Sequence, residues 1–156
     1  MDLNQTARDL AYEYRDLAAG KRLTIEMRLE PSLPEAYAVP RLIHEAAANY
    51  ITNAIKYTPE GGRITLRTRH EDTMVLFEVE DTGVGVPQEY INQLFGEFVR
   101  APARVDGPRP PGIGLGLSIV KRIMQYYGGR VYVTSTPGKG SVFGFALPAA
   151  PWAPVI

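Results

Sequence analysis

Three clusters in the sequence hold residue types that could do chemistry. The first is Asn49, Asn53 and Lys56, spaced four and three apart, with Tyr57 following. On a helix, at roughly 100° per residue, the three fall within an arc of about 60°, and Tyr57 lies at its edge. Asn is a mediocre helix former, so two of them one turn apart ask for a reason. A neutral amide oxygen suits Mg²⁺, which takes oxygen ligands and keeps several waters while bridging phosphates. Lys56 would bring a point charge to a phosphate. The second cluster is Asp81-Thr82-Gly83-Val84-Gly85-Val86-Pro87, between a strand-like run at 74–80 and a helix-like run at 88–94. Asp81 puts an acceptor at the mouth of a turn, fit to receive an exocyclic amine. Gly83 and Gly85 let the chain turn tightly and leave room for a flat ring. The third is Gly112-Ile113-Gly114-Leu115-Gly116-Leu117, opening a helix. Exposed N–H groups at a glycine-rich helix start favour phosphate.

Other candidates carry less. No Gly-Lys-Ser/Thr follows the glycines at 112–116, so this is not a Walker loop, and the glycine spacing is wrong for a dinucleotide fingerprint. Gly138-Lys139-Gly140-Ser141 fails the Walker test too and reads as a hairpin turn. Phe95 and Phe98 read as core anchors, and Arg100 reads either as a surface cation or as a phosphate contact. His44 and His70 have no metal-ligand partner at useful spacing and read as structural or exposed.

The elements that must position these groups follow from periodicity. Leu3, Ala7, Leu10, Ala11, Tyr14 and Leu17 predict a helix over 3–19, stopped by Gly20. Residues 22–30 alternate, with Leu23, Ile25, Met27 and Leu29 on one face of a half-buried strand. A helix over 40–57 carries a broad apolar face from Leu42 to Ile55. Strands at 63–69 and 74–80 form a hairpin, with Ile64, Leu66, Val75, Phe77 and Val79 inward. A short helix runs to Leu94. Residues 101–112, with Pro102, Arg104, Pro108, Arg109, Pro110 and Pro111, form a long basic loop of the functional or mobile kind. A helix over 115–127 stops at Gly128-Gly129, and strands at 130–136 and 141–147 close the chain. The expected fold is α+β: a two-layer α/β sandwich in which a mixed, mostly antiparallel sheet has its helices on one face. Residues 1–21 are expected to be a helical linker or the end of a dimerisation helix, 22–148 the folded domain, and 149–156 a disordered tail.

Composition narrows the function classes. The 156 residues suggest one domain, with 45% hydrophobic and 22% charged residues. Zero formal net charge gives no global argument for nucleic acid or an anionic membrane surface. With no cysteine, disulfides and thiolate metal sites are excluded. No apolar run approaches the ~18 residues of a membrane span.

In order and separation these clusters make the chain resemble the catalytic ATP-binding domain of bacterial sensor histidine kinases. That domain belongs to the superfamily shared with gyrase, heat-shock chaperone and mismatch-repair ATPases. The resemblance covers about 22–148. Asn49 to Tyr57 looks like the family's N box, and Asp81 to Gly85 like its first glycine box. Phe95-Gly96-Glu97-Phe98-Val99-Arg100 looks like the F box, Gly112 to Leu117 like the second glycine box, and Gly138 to Ser141 like the last. The resemblance implies ATP and Mg²⁺ as cofactors, with Asn53 as the Mg²⁺ ligand and Asn49 beside it. It implies Lys56 and Arg100 facing phosphates, so that Asn49, Lys56 and Arg100 are the catalytic set. Tyr57 would pack by the adenine and Asp81 would accept from its amino group, with Gly83 and Gly85 in the pocket. Gly112, Gly114, Leu115, Gly116 and Leu117 would carry the ATP lid.

Three departures stand out. Ile113 replaces a small polar residue, Val39 replaces the Asp that commonly precedes the second helix, and Pro110-Pro111 stiffen the lid. His44-Glu45 is similar to the family's phosphoacceptor pair but lies on the N-box helix, so it is rejected as acceptor. The resemblance therefore implies a kinase domain acting on a histidine-bearing dimerisation domain outside this chain, with a downstream response regulator. It implies no nucleic acid or direct membrane contact, and a cytoplasmic site, whether or not the parent is membrane-bound. Where hydrolytic relatives use a Glu as base, this chain has Asn49, which takes no proton near neutral pH. The alternatives are a serine kinase of the anti-sigma type and a non-catalytic nucleotide-sensing module.

Overall fold

Alternating apolar residues on the strands and one apolar stripe on each main helix dictate two layers. The computed structural model describes residues 1–87, 91, 94, 95 and 113–150, apart from the side chains of 113–115. Five strands form one sheet: β1 (Thr24–Arg28), β2 (Arg63–Glu71), β3 (Met74–Asp81), β4 (Arg130–Thr136) and β5 (Gly140–Pro148). Their order is β1-β2-β3-β5-β4, with β1 parallel to β2 and the other pairs antiparallel. One face of the sheet, including Ile64, Leu66, Phe77, Val79 and Phe145, is buried in a single core with the helices. The mixed, mostly antiparallel sheet expected from the sequence is the one observed.

Helix α3 (Pro40–Tyr57) has the expected bounds and buries Ile43, Ala46, Ala47, Tyr50, Ile51, Ala54 and Ile55. Lys21 Nζ caps its end, donating to the carbonyls of Ile55 at 2.8 Å and Lys56 at 3.0 Å, where the helix dipole favours a cation. Helix α4 (Ile113–Tyr126) begins two residues before the expected start. The short helix and the basic loop expected over 88–112 fall almost wholly outside the described residues, as do 151–156.

The N-terminal segment differs from a single helix over 3–19. It forms α1 (Leu3–Glu13) and α2 (Arg15–Gly20), separated at Tyr14, where φ is −100° and ψ is 7°. Asp2 caps α1 by accepting from the N–H groups of Asn4 and Gln5. Leu3, Ala7 and Leu10 are wholly buried in the same core as the sheet. Asn4 donates to the Glu30 carbonyl and accepts from the Thr68 hydroxyl. The first helix thus packs as part of the sandwich. Met27, expected on the buried face, is 45% exposed, because the five-residue β1 is an edge strand with a neighbour on one side only. At the other end, Ala149 pairs with Ala36 in an isolated bridge, so order extends past the expected start of the tail.

The opposite sheet face is polar. Across one row Arg67, Glu78, Gly144 and Tyr132 stand in register. A Cβ on Gly144 would lie 2.6 Å from the Tyr132 phenol oxygen, so glycine alone lets Tyr132 cross β5 and donate to Glu78 at 2.6 Å. Burial would raise the Glu78 carboxyl, but bonds from Tyr132, Arg69 and Arg67 outweigh it and hold the group below its ordinary value. From the core side, the Tyr50 hydroxyl donates to the Gly144 carbonyl at 2.8 Å. This bond ties the middle of α3 to β5. No helix among the described residues is long and apolar enough to cross a membrane.

The start of α3 is less well served. Its N-cap, Val39, makes no side-chain capping bond and is 50% exposed. Val39→Asp should add about 1 kcal/mol of stability, since capping carboxylates satisfy orphan N–H groups at a helix start. Thermal melting should rise by roughly 2–4 °C; an unchanged or lower Tm would contradict this.

Candidate functional site

Helix α3 turns its apolar face to the sheet, and this leaves Asn49, Asn53 and Lys56 on its other side. Asn49 and Asn53 are half-buried, as is Tyr57, while Lys56 is exposed. The Asn49 amide nitrogen donates to the Glu45 carbonyl at 3.0 Å. Asn53 Nδ2 is buried with no partner among the described residues. An orphaned buried amide is costly, and its oxygen and nitrogen ends are interchangeable by a flip. Among the described residues, the Asn53 amide nitrogen is thus a neutral polar atom that nothing satisfies. A neutral amide fits Mg²⁺ held mainly by water and phosphate oxygens. Among the described residues no cluster of three or more His, Cys, Asp or Glu is present to hold a metal by itself.

Asp81 ends β3 on the same face as Val79 and is only 8% exposed. It pairs with Ile64 on one side and Ser141 on the other, and Ser141 pairs with Ser135. Burial, the largest influence, pushes its carboxyl above the ordinary Asp value. The N–H groups of Gly83 and Ser141 pull it back, and Glu80 adds to the rise. The Gly83 N–H donates to Asp81 Oδ1 at 2.8 Å.

The turn after Asp81 packs directly on the end of α3. A Cβ on Gly83 would lie 2.7 Å from the Tyr57 carbonyl oxygen, 2.8 Å from Asp81 Oδ1 and 3.2 Å from the Thr58 hydroxyl. Gly85 has φ +74°, a conformation that favours glycine. The β4–β5 hairpin clasps the turn from the far side. Gly138 N–H donates to the Val84 carbonyl at 2.8 Å, and Val86 N–H donates to Ser135 Oγ at 2.7 Å. Gly138-Lys139-Gly140-Ser141 is thus the hairpin turn the sequence suggested, and it abuts Asp81. Thr82 closes the third side, its hydroxyl accepting from Arg63 N–H at 2.9 Å.

The other expected site residues divide. Gly114, Leu115, Gly116 and Leu117 lie in the first turns of α4. Leu117 is wholly buried and joins the core. Gly116 faces Asn49. Arg100 and Gly112 lie outside the described residues, as does Phe98. Phe95 packs edge-on against Phe143 at 6.3 Å. His44 approaches Glu13 at 3.1 Å, away from the turn. Sequence reading missed Ser135 and Thr58, whose hydroxyl is buried beside Gly83 with no partner among the described residues, and gave no role to Thr82. Strand register, which single residues do not announce, is what brings them together.

Comparison with known proteins gives a consistent picture. The family model described as histidine kinase-, DNA gyrase B- and HSP90-like ATPase matches residues 38–151. The adaptive-response sensory kinase SasA of Synechococcus sp. (strain CC9311) is 36% identical over 149 residues, covering 95% of this chain and 38% of that protein. SasA of Thermosynechococcus vestitus is 37% identical over 150 residues, again 95% and 38%. The chain therefore spans well under half the length of these curated relatives. Full-length ShkA, solved in complex with AMPPNP, superposes with a TM-score of 0.82 at 32% identity, covering 99% of this chain and 32% of that one. The catalytic domain of histidine kinase ThkA gives 0.81 at 24% identity, with coverage of 97% and 95%.

The buried carboxylate has a pH signature. With a folded pKa above its unfolded value, Asp81 keeps its proton in the native state through a window where the unfolded chain has lost it. Stability therefore falls as pH rises through that window. Asp81→Asn removes the titration. The difference in Tm, variant minus wild type, should rise between about pH 3 and pH 7, as melting followed by circular dichroism would record. A flat or falling difference would contradict the buried-charge account.

Proposed function

The chain belongs to the histidine kinase-, DNA gyrase B- and HSP90-like ATPase family, and from that premise we propose that it is the Mg·ATP-binding catalytic part of a two-component sensor histidine kinase. The observation that carries this reading is the seat of Gly83 on the Tyr57 carbonyl, which joins the Asp81 turn to the end of the helix bearing Asn49, Asn53 and Lys56. One face of α3 and one strand end thus form two walls of a single site.

In this reading Asp81 accepts a hydrogen bond from the adenine amino group; the spaces left by the missing side chains of Gly83 and Gly85 are taken by the Tyr57 and Thr136 backbone, so these glycines serve to hold the turn close beside the pocket. Tyr57 packs beside the adenine. Asn53 would offer its amide oxygen to Mg²⁺, with Asn49 next to it. Bound Mg²⁺ would neutralise phosphate charge. Lys56, exposed on a flexible stem, would reach the phosphates, and the family resemblance gives Arg100 and the glycines at 112 and 114 to the same end of the nucleotide. Phosphoryl transfer needs mainly such positioning and charge neutralisation. A neutral histidine nitrogen on a dimerisation domain attacks the γ-phosphorus, forming a P–N bond as the bond to the β-phosphate oxygen breaks and ADP leaves. Asn49 stands where a base for water would be and takes no proton, which favours transfer over hydrolysis. The phosphohistidine then serves a response regulator, on the cytoplasmic side.

Incubation of this chain with γ-labelled ATP and the histidine-bearing domain of its parent kinase should label that domain with acid-labile, base-stable phosphate. Asn53→Ala should cut the rate by roughly a hundredfold or more, as loss of a transition-state charge stabiliser does. Acid-stable phosphoserine on a supplied protein would select the anti-sigma type of kinase instead. Nucleotide binding with no transfer would select a sensing module.

A further inference from the structure

Gly116 is a glycine with no backbone reason to be one. It lies inside α4, where glycine costs roughly 1 kcal/mol against alanine. It is not among the glycines with positive φ. Its reason is steric. A Cβ at Gly116 would fall 2.8 Å from Asn49 Oδ1 and 3.6 Å from Asn49 Cγ, and no other described atom outside its own stretch of chain comes within 4 Å of that point. The Asn49 side chain is also held from its own helix. The Glu45 carbonyl can only accept, so the amide end facing it at 3.0 Å is the nitrogen, and the oxygen end is the one lodged against α4. With one end tied and the other seated, the carboxamide has a fixed orientation. A methyl group at 116 would push the oxygen out of its seat.

We propose that Gly116 is a positioning residue for Asn49: the missing side chain on α4 is what lets the Asn49 amide hold its place beside Asn53. This rests on the reading of the site as an Mg·ATP site. It assigns Gly116 a role distinct from backbone freedom or phosphate contact, namely to carry the geometry of α4 to the metal side of α3.

A double-mutant cycle tests it, with wild type, Gly116→Ala, Asn49→Ala and the double variant titrated calorimetrically with ATP in Mg²⁺ and in EDTA. Alanine favours helix, so Gly116→Ala should melt at or above the wild-type temperature. It should nevertheless bind Mg·ATP about tenfold more weakly, the size of coupling typical of touching residues, while ATP in EDTA binds as to wild type. In the Asn49→Ala background, where no oxygen occupies the seat, the same substitution should leave Mg·ATP affinity unchanged. Equal losses in both backgrounds, losses of equal size with and without Mg²⁺, or no loss in the wild-type background would overturn the proposal. If wild type itself fails to bind Mg·ATP, the functional reading fails and the proposal with it.

Discussion

A carboxylate buried at the end of a central strand is an expense that the rest of this fold is arranged around. Asp81 is almost out of solvent, and burial works against its charge. The N–H groups of Gly83 and Ser141 offset part of that cost without neutralising it. Its neighbours cannot move freely either. Gly83 is wedged against the Tyr57 carbonyl, Val86 is tied to Ser135, and Val84 is tied to Gly138. Three elements distant in sequence (the end of α3, the end of β3 and the β4–β5 hairpin) therefore meet around one acid. An arrangement that stabilised only the apo fold would put a neutral side chain there. A carboxylate held in place and poorly solvated instead suits a ligand that donates a hydrogen bond to it.

The helix facing this acid is held with similar care. Lys21 caps its C-terminal carbonyls, and the Tyr50 hydroxyl anchors its middle to Gly144. The same glycine lets Tyr132 cross the outer sheet face to Glu78. Gly144 thus serves both faces of the sheet, taking the Tyr50 bond from the core side and making room for Tyr132 on the other. Asn49 and Asn53 sit on the helix that these bonds hold at its middle and its C-terminal end. Lys56, exposed one turn on, keeps the mobility that a phosphate-seeking cation needs.

Much of this was legible in the sequence because it is local. The bounds of α3, the hairpin leading to Asp81 and the inward set on β2 and β3 follow from periodicity and turn residues alone. The polar stripe on α3 follows from helix geometry. What was illegible is non-local. Tyr14 breaks the first helix although the apolar spacing continues through it. Met27 fits the buried pattern, yet an edge strand leaves it exposed. Ser135 and Thr58 have no distinguishing spacing, Thr82 and Ser141 are marked only as members of glycine motifs, and strand register and the seat of Gly83 are what bring all four to Asp81. Gly116 was legible as a member of a glycine cluster, but the partner that explains it, Asn49, is on another helix.

As proposed, Asp81 accepts from the amino group of a bound adenine while α3 holds the phosphate end. Isothermal titration of Mg·ATP into wild type and into Asp81→Asn tests it most directly. Wild type should bind saturably, and the folded variant should show no binding at millimolar nucleotide. Equal affinity in the two proteins would contradict it.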